Sequence, residues 1–286
     1  MKNQSENKVY TLAEVLGKHT IAELKQMTQV LEVKVLSKAK KQEIIDALSA
    51  KLLDKELLTA WLLAAGKQEI EELELAMAED VVIAEESGRF YYWRNLPVVF
   101  VTGDGVVVVP SETAAVYNEI KSDSEYAQKR SRINVFDEYL MSCVNLYRAI
   151  DITTFLSIVN GQTGMNAKRP ELESWLKDRE AVRGQQMYFF EGGYILSEEY
   201  RTKKEGEVVD YHQLLERQGA MSYYIPAKSE LLRYADPYYV EKTPSYAAFC
   251  RFIQVRLGRP EKRGSGDRFS YPINHAPWCN AKRHLC

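Results

Sequence analysis

Apolar residues recur every three or four positions near the start of the chain: Ile21, Leu24, Met27 and Leu31, then Ile44, Ile45 and Leu48. That period predicts two short amphipathic helices between Thr20 and Leu48. Thr20 stands before the first of them as an N-cap, and Glu23 three residues on completes a capping box. The connection between the helices reads as extended, with Lys34, Lys38, Lys40 and Lys41 projecting and Val33, Val35 and Leu36 as apolar pegs.

Two further helices are expected over Lys55 to Ala64 and Gln68 to Ala78, hinged near Gly66. The period then changes. Val98 to Val101 and Val106 to Val109 are β-rich runs on either side of Thr102-Gly103-Asp104-Gly105, the signature of a hairpin. Pro110-Ser111-Glu112 opens a helix that runs to about Ile120. A similar order returns later. Val135 to Ala149, Ile152 to Val159 and Pro170 to Val182 read as helices, and Gln186 to Phe190 with Tyr194 to Leu196 flank Glu191-Gly192-Gly193 as a second hairpin.

These elements predict a mainly α protein with small β-hairpins, an α+β fold in several modules. Helices followed by a hairpin suggest winged-helix-like modules, with helical repeats carrying an inserted hairpin as the competing arrangement. The expected divisions are 1–55 for the helical module, 56–124 for helices plus a hairpin, 125–255 for a helical domain with the second hairpin, and 256–286 for a basic linker and tail. A winged helix that reads DNA places its third helix in the groove. The segment Pro170 to Val182 carries Glu171, Glu173, Asp178 and Glu180 against Lys177 and Arg179, which favours a protein partner for that region instead.

Charge sharpens this picture more than composition does. The net charge is only −2, but residues 1–55 hold ten Lys against seven acids. Glu56 to Phe90 holds nine acids against Lys67 and Arg89, and Cys250 to Cys286 holds eight basic residues against Glu261 and Asp267. The ends are basic and the middle acidic, so the ends either touch an anionic partner or fold back on the middle. The apolar run Leu57 to Ala65 is far shorter than the roughly 18 to 20 residues that span a bilayer, and MKNQSENK is polar with no apolar stretch after it. No membrane association and a cytoplasmic location are therefore expected. Four cysteines, two of them isolated at Cys143 and Cys250, make no disulfide framework, which agrees with a reducing compartment.

The stretch containing TIAELK, LEVKVLSKAKK and QEIIDAL resembles the helix, extended loop, helix module at the N-terminus of the transcription terminator Rho, a relative of the SAP fold. The resemblance covers residues 11 to 55. It implies contact with nucleic acid, RNA or DNA, through Lys34, Lys38, Lys40 and Lys41, acting as mobile point charges on phosphates. The same lysines also read as the solvated face of a loop. The remainder of the chain is only distantly similar to uncharacterised bacterial proteins that join such a module to a C-terminal metal knuckle.

Other candidate chemistry is sparse. Arg256 to Arg268 mixes Arg259, Lys262 and Arg263 with Gly and Pro, a basic linker able to meet a polyanion by counterion release or simply to be solvated. His275, Cys279, His284 and Cys286 have the right chemistry for tetrahedral zinc but an unorthodox spacing, so an ordinary tail is the default and zinc the alternative. They resemble at most a degraded counterpart of the cysteine-rich knuckle of the secretion ATPase SecA, whose CxC opening and Cys-Cys or Cys-His close are both missing here. Tyr223, Tyr224, Tyr234, Tyr238, Tyr239 and Tyr246 read as rings packed at helix junctions, with stacking on bases as the lesser use. No phosphate loop, G-x-S-x-G elbow, H-E-x-x-H helix or paired CxxC occurs. The expectation is thus a non-enzymatic nucleic-acid-binding or regulatory protein without a cofactor; its competitor is a protein-interaction adaptor with no affinity for nucleic acid. Oligomeric state is not legible.

Overall fold

The computed structural model describes residues 9–84, 87–183, 188–200, 211–219, 221–236 and 238–257. The chain divides into two compact units, residues 1–239 and 240–286. The first opens with helices α1 (Leu12–Gly17), α2 (Ile21–Val30) and α3 (Lys41–Leu52). Thr11 and Thr20 each accept the backbone N–H of the glutamate three residues on, and Glu14 and Glu23 accept the N–H of their threonines in return. Two capping boxes in succession fix where these short helices begin, which helices of six and ten residues do not achieve from propensity alone.

Helices α4 (Lys55–Ala64) and α5 (Lys67–Ala78) follow, the first capped by Asp54. Next come strand β1 (Val81–Val82), α6 (Tyr91–Asn95), the hairpin β2 (Phe100–Val101) and β3 (Val106–Val108), and α7 (Ser111–Lys121). The strands form an antiparallel sheet in the order β1-β3-β2. Gly105 joins β1 to the hairpin: at φ 82° its carbonyl takes the Ile83 N–H at 3.0 Å, and a Cβ there would stand 2.7 Å from the Ile83 carbonyl oxygen. One continuous core runs from Leu12 to Tyr126 and includes the fully buried Leu16, Leu24, Ile44, Leu48, Leu62, Phe90 and Trp93. Residues 1–55 and 56–124 thus share their apolar interior.

A second core is built on α8 (Ser124–Tyr147), β4 (Ala149–Asp151), α9 (Ile152–Thr163), α10 (Arg169–Arg183), β5 (Tyr188–Glu191) and β6 (Tyr194–Ser197). Its sheet has the order β4-β6-β5, again antiparallel. One sheet face meets Phe155 and Trp175 through Tyr188 and Ile195; the other, through Phe189 and Leu196, meets Leu214 and Leu215 of α11 (Tyr211–Gln218). Residues 221–236, with the single turn α12 (Lys228–Leu231), lie as a strap along α8 and α9. Side chains hold the strap by its carbonyls: Tyr147 donates to Tyr224, Gln162 to Pro226 and Asn145 to Tyr234. Tyr147 and Tyr223 meet edge to face, as do Tyr234 and Tyr239. Four of these aromatic side chains are therefore packed at junctions, while Tyr224 and Tyr238 stay exposed. The second unit is described through α13 (Pro244–Leu257), where Thr243 accepts the Tyr246 N–H.

The mainly α character with small sheets agrees with the sequence reading. Helix α8 differs: it starts eleven residues before Val135 and ends at Tyr147, with Ala149 in a strand paired to Leu196. Its early turns face inward through Tyr126, Arg130 and Ile133, and an arginine in that stripe hides the apolar period. Strands β1 and β4 were not anticipated, because two and three residues carry too little alternation.

Arginines tie the two cores together. Arg130 donates to the carbonyls of Leu62 and Ala65, and Arg183 to that of Ala64, so two cations close the C-terminal end of α4, where carbonyls lack helical partners. Arg183 also pairs with Glu69 at 2.7 Å, and Arg179 pairs with Asp137 inside the protein. Arg132 grips Glu171 with two nitrogens, joining α8 to α10. That hydrogen bond holds the Glu171 carboxyl below its ordinary range despite partial burial. Burial raises Glu69, yet the hydrogen bond and charge of Arg183 outweigh it and leave its carboxyl lowered too. Lowered carboxylates stabilise the fold above the unfolded value of about 4.3 and lose that contribution as pH falls through the folded value. In acid titrations of unfolding, Glu171→Gln is expected to flatten the loss of stability below about pH 4.3. An unchanged acid limb would show that the pair is solvent-screened.

Candidate nucleic-acid interface

The lysine-rich connection is built from local backbone bonds. At the end of α2 the Leu31 N–H reaches the Met27 carbonyl, Glu32 adopts φ 53°, and the Val33 N–H returns to the Thr28 carbonyl at 2.8 Å. The chain is thereby turned back, and Val33 packs on the first core. Further along, the Ala39 N–H donates to the Leu36 carbonyl and Ala39 also packs inward. Glu43 accepts the Lys40 N–H at 2.8 Å and so sets the first turn of α3.

Two lysines secure the connection from outside. Lys25 of α2 donates through Nζ to the Ser37 carbonyl at 3.0 Å, and Lys41 donates to the Gly17 carbonyl at the end of α1 at 2.6 Å. Lys41 is half-buried and occupied in this role. Lys34, Lys38 and Lys40 are exposed, and none of their ammonium groups hydrogen-bonds or pairs with a described residue. Of the three apolar pegs, Val33 and Val35 are at least half-buried, but Leu36 is 81% exposed. The nearby carboxylates of Glu23 and Glu43 are committed to caps; the Thr20 N–H holds Glu23 below the usual carboxylate range.

Of the four lysines expected to project, Lys34, Lys38 and Lys40 do so, whereas Lys41 turns back to the Gly17 carbonyl and anchors the loop, and Lys25 was not singled out at all. Lys25 lies inside a helical stretch, and nothing in its spacing signals a bond twelve residues away. Arg259, Lys262, Arg263, His275, Cys279, His284 and Cys286 lie outside the described residues. Among the described residues no group of three or more His, Cys, Asp and Glu could hold a metal ion.

Elsewhere, a cleft of about 350 Å³ lies between α5, α6 and the end of α10. Its charged groups serve the fold: Glu69 faces Arg183, and Glu72 accepts the Phe90 N–H. Burial pushes the Cys143 thiol up to about 12, so little reactive thiolate forms near neutral pH. No described helix is long and apolar enough to cross a membrane. Comparison with protein-family models, curated proteins and solved structures gives no match for the chain.

Proposed function

We propose that this protein is a non-enzymatic nucleic-acid-binding or regulatory protein that contacts phosphates through the loop between α2 and α3. The observation that carries the reading is the division of labour among the lysines: Lys25 and Lys41 fix the loop, and Lys34, Lys38 and Lys40 project from it without partners. Ammonium groups displayed on a braced backbone suit sequence-independent attraction to a polyanion. Three such groups support weak binding that salt disrupts. The Rho-like resemblance over residues 11–55 agrees with this use.

Fluorescence anisotropy against single-stranded RNA, single-stranded DNA and duplex DNA at two salt concentrations tests it. Replacing Lys34, Lys38 and Lys40 together by alanine is expected to lower the slope of log affinity against log salt by about 3 for a duplex. The same slope in the variant, or no binding by the intact chain, removes the reading.

A second reading rests on the later core. The order α8, β4, α9, α10, β5, β6 with sheet order β4-β6-β5 supports a winged-helix-like module. Its third helix, α10, exposes Lys177, Asp178 and Glu180 and carries the half-buried Glu171 and Glu173, a poor match for phosphates. That favours an adaptor role for this half, with a protein partner.

A further inference from the structure

We propose that Leu36 is the residue through which the loop between α2 and α3 touches bases, inserting against or between them while Lys34, Lys38 and Lys40 hold the flanking phosphates. This inference rests on the function proposed above and adds to it a contact that does not depend on charge.

Three observations carry it. First, Leu36 is more exposed than any other large apolar side chain of the described residues, at 81%. Second, that exposure is imposed by the backbone: the Leu36 carbonyl accepts the Ala39 N–H, and the next carbonyl, at Ser37, is held by Lys25. The flanking apolar residues Val33, Val35 and Ala39 are each at least half-buried, so the turn directs one member of an apolar series away from the core. Third, the exposed Lys34 and Lys38 lie two residues to either side.

A single exposed leucine needs no explanation by itself. An apolar tip fixed in place and flanked in the chain by unpaired cations is different, since whatever the cations attract comes close to the tip. Side chains of this kind part base steps by entering between them, most easily where a pyrimidine precedes a purine. An anionic lipid surface also attracts lysines, but a single leucine buries too little apolar area for stable anchoring, where even a myristoyl chain is marginal. The geometry therefore favours nucleic acid.

The test uses the full chain and a duplex carrying 2-aminopurine at a TA step, with Leu36→Ala as the variant. Intact protein is expected to raise the 2-aminopurine fluorescence. Leu36→Ala should abolish the rise and weaken binding about tenfold, the scale of burying one leucine side chain, with the salt slope unchanged. The alanine variant of Lys34, Lys38 and Lys40 should instead reduce the slope. Binding by the intact chain with equal affinity and fluorescence in Leu36→Ala overturns the role of Leu36 and leaves the phosphate reading standing. No binding to nucleic acid overturns both, and Leu36-dependent binding to phosphatidylserine vesicles in its place assigns the tip to a lipid surface.

Discussion

Asp137→Ala is expected to destabilise the protein by about 3–5 kcal/mol, read as a lower midpoint in urea unfolding. Asp137 and Arg179 are both buried and bonded to each other across α8 and α10. Removing the carboxylate strands a guanidinium that does not shed its proton, under the faces of Trp175 and Tyr188. The reverse deletion should cost less. Burial pushes the Asp137 carboxyl up even against the Arg179 charge, so without arginine it can take a proton and become neutral. Replacing both, with Asp137→Leu and Arg179→Met, is expected to recover most of the loss, since apolar pairs of similar volume replace buried ion pairs at little cost. A double variant as unstable as Asp137→Ala would show that the pair is needed by its surroundings, not only by itself.

Trp93→Ala should cost a similar amount, about 3–5 kcal/mol, by a different route. Trp93 is fully buried in the first core, and its indole N–H donates to the Glu69 carbonyl while its own carbonyl accepts the Val98 and Val99 N–H groups. Alanine leaves a cavity and removes the indole's bond to the Glu69 carbonyl, which keeps its helical partner in the first turns of α5. Trp93→Phe keeps most of the volume and loses the bond, so it is expected to cost about 1–3 kcal/mol and separates the two effects. Thermal unfolding of the three proteins under one buffer checks the order.

Much of the helical order was legible because the apolar period is regular. Ile44, Ile45 and Leu48 face inward as their spacing implies, and Thr20 with Glu23 caps α2 as the capping-box spacing predicts. What stayed hidden was non-local. Strand β4 exists because β6 returns beside it 43 to 47 residues later, and the beginning of α8 is anchored by Arg130 reaching the end of α4. Neither leaves a mark in local periodicity. At the loop, composition identified the projecting lysines, but which lysine faces out depends on carbonyls at Ser37 and Gly17 that happen to lie within reach. The direction of Leu36 is hidden for the same reason: its apolar character is legible, but the hydrogen-bonded turn decides which way it faces.

The closure of α4 by Arg130 and Arg183 also bears on how the protein comes to be folded. The carbonyls of Leu62, Ala64 and Ala65 receive their donors from residues 65 to 119 positions downstream. The buried residues of the first core all lie between Leu12 and Tyr126, so they are in place, apart from the packing of Val182, while the last turn of α4 still lacks these partners. On a growing chain that turn would remain hydrated until α8 and α10 have emerged, so a fragment ending near residue 126 would be expected to fray at Ala65, with its core otherwise in place.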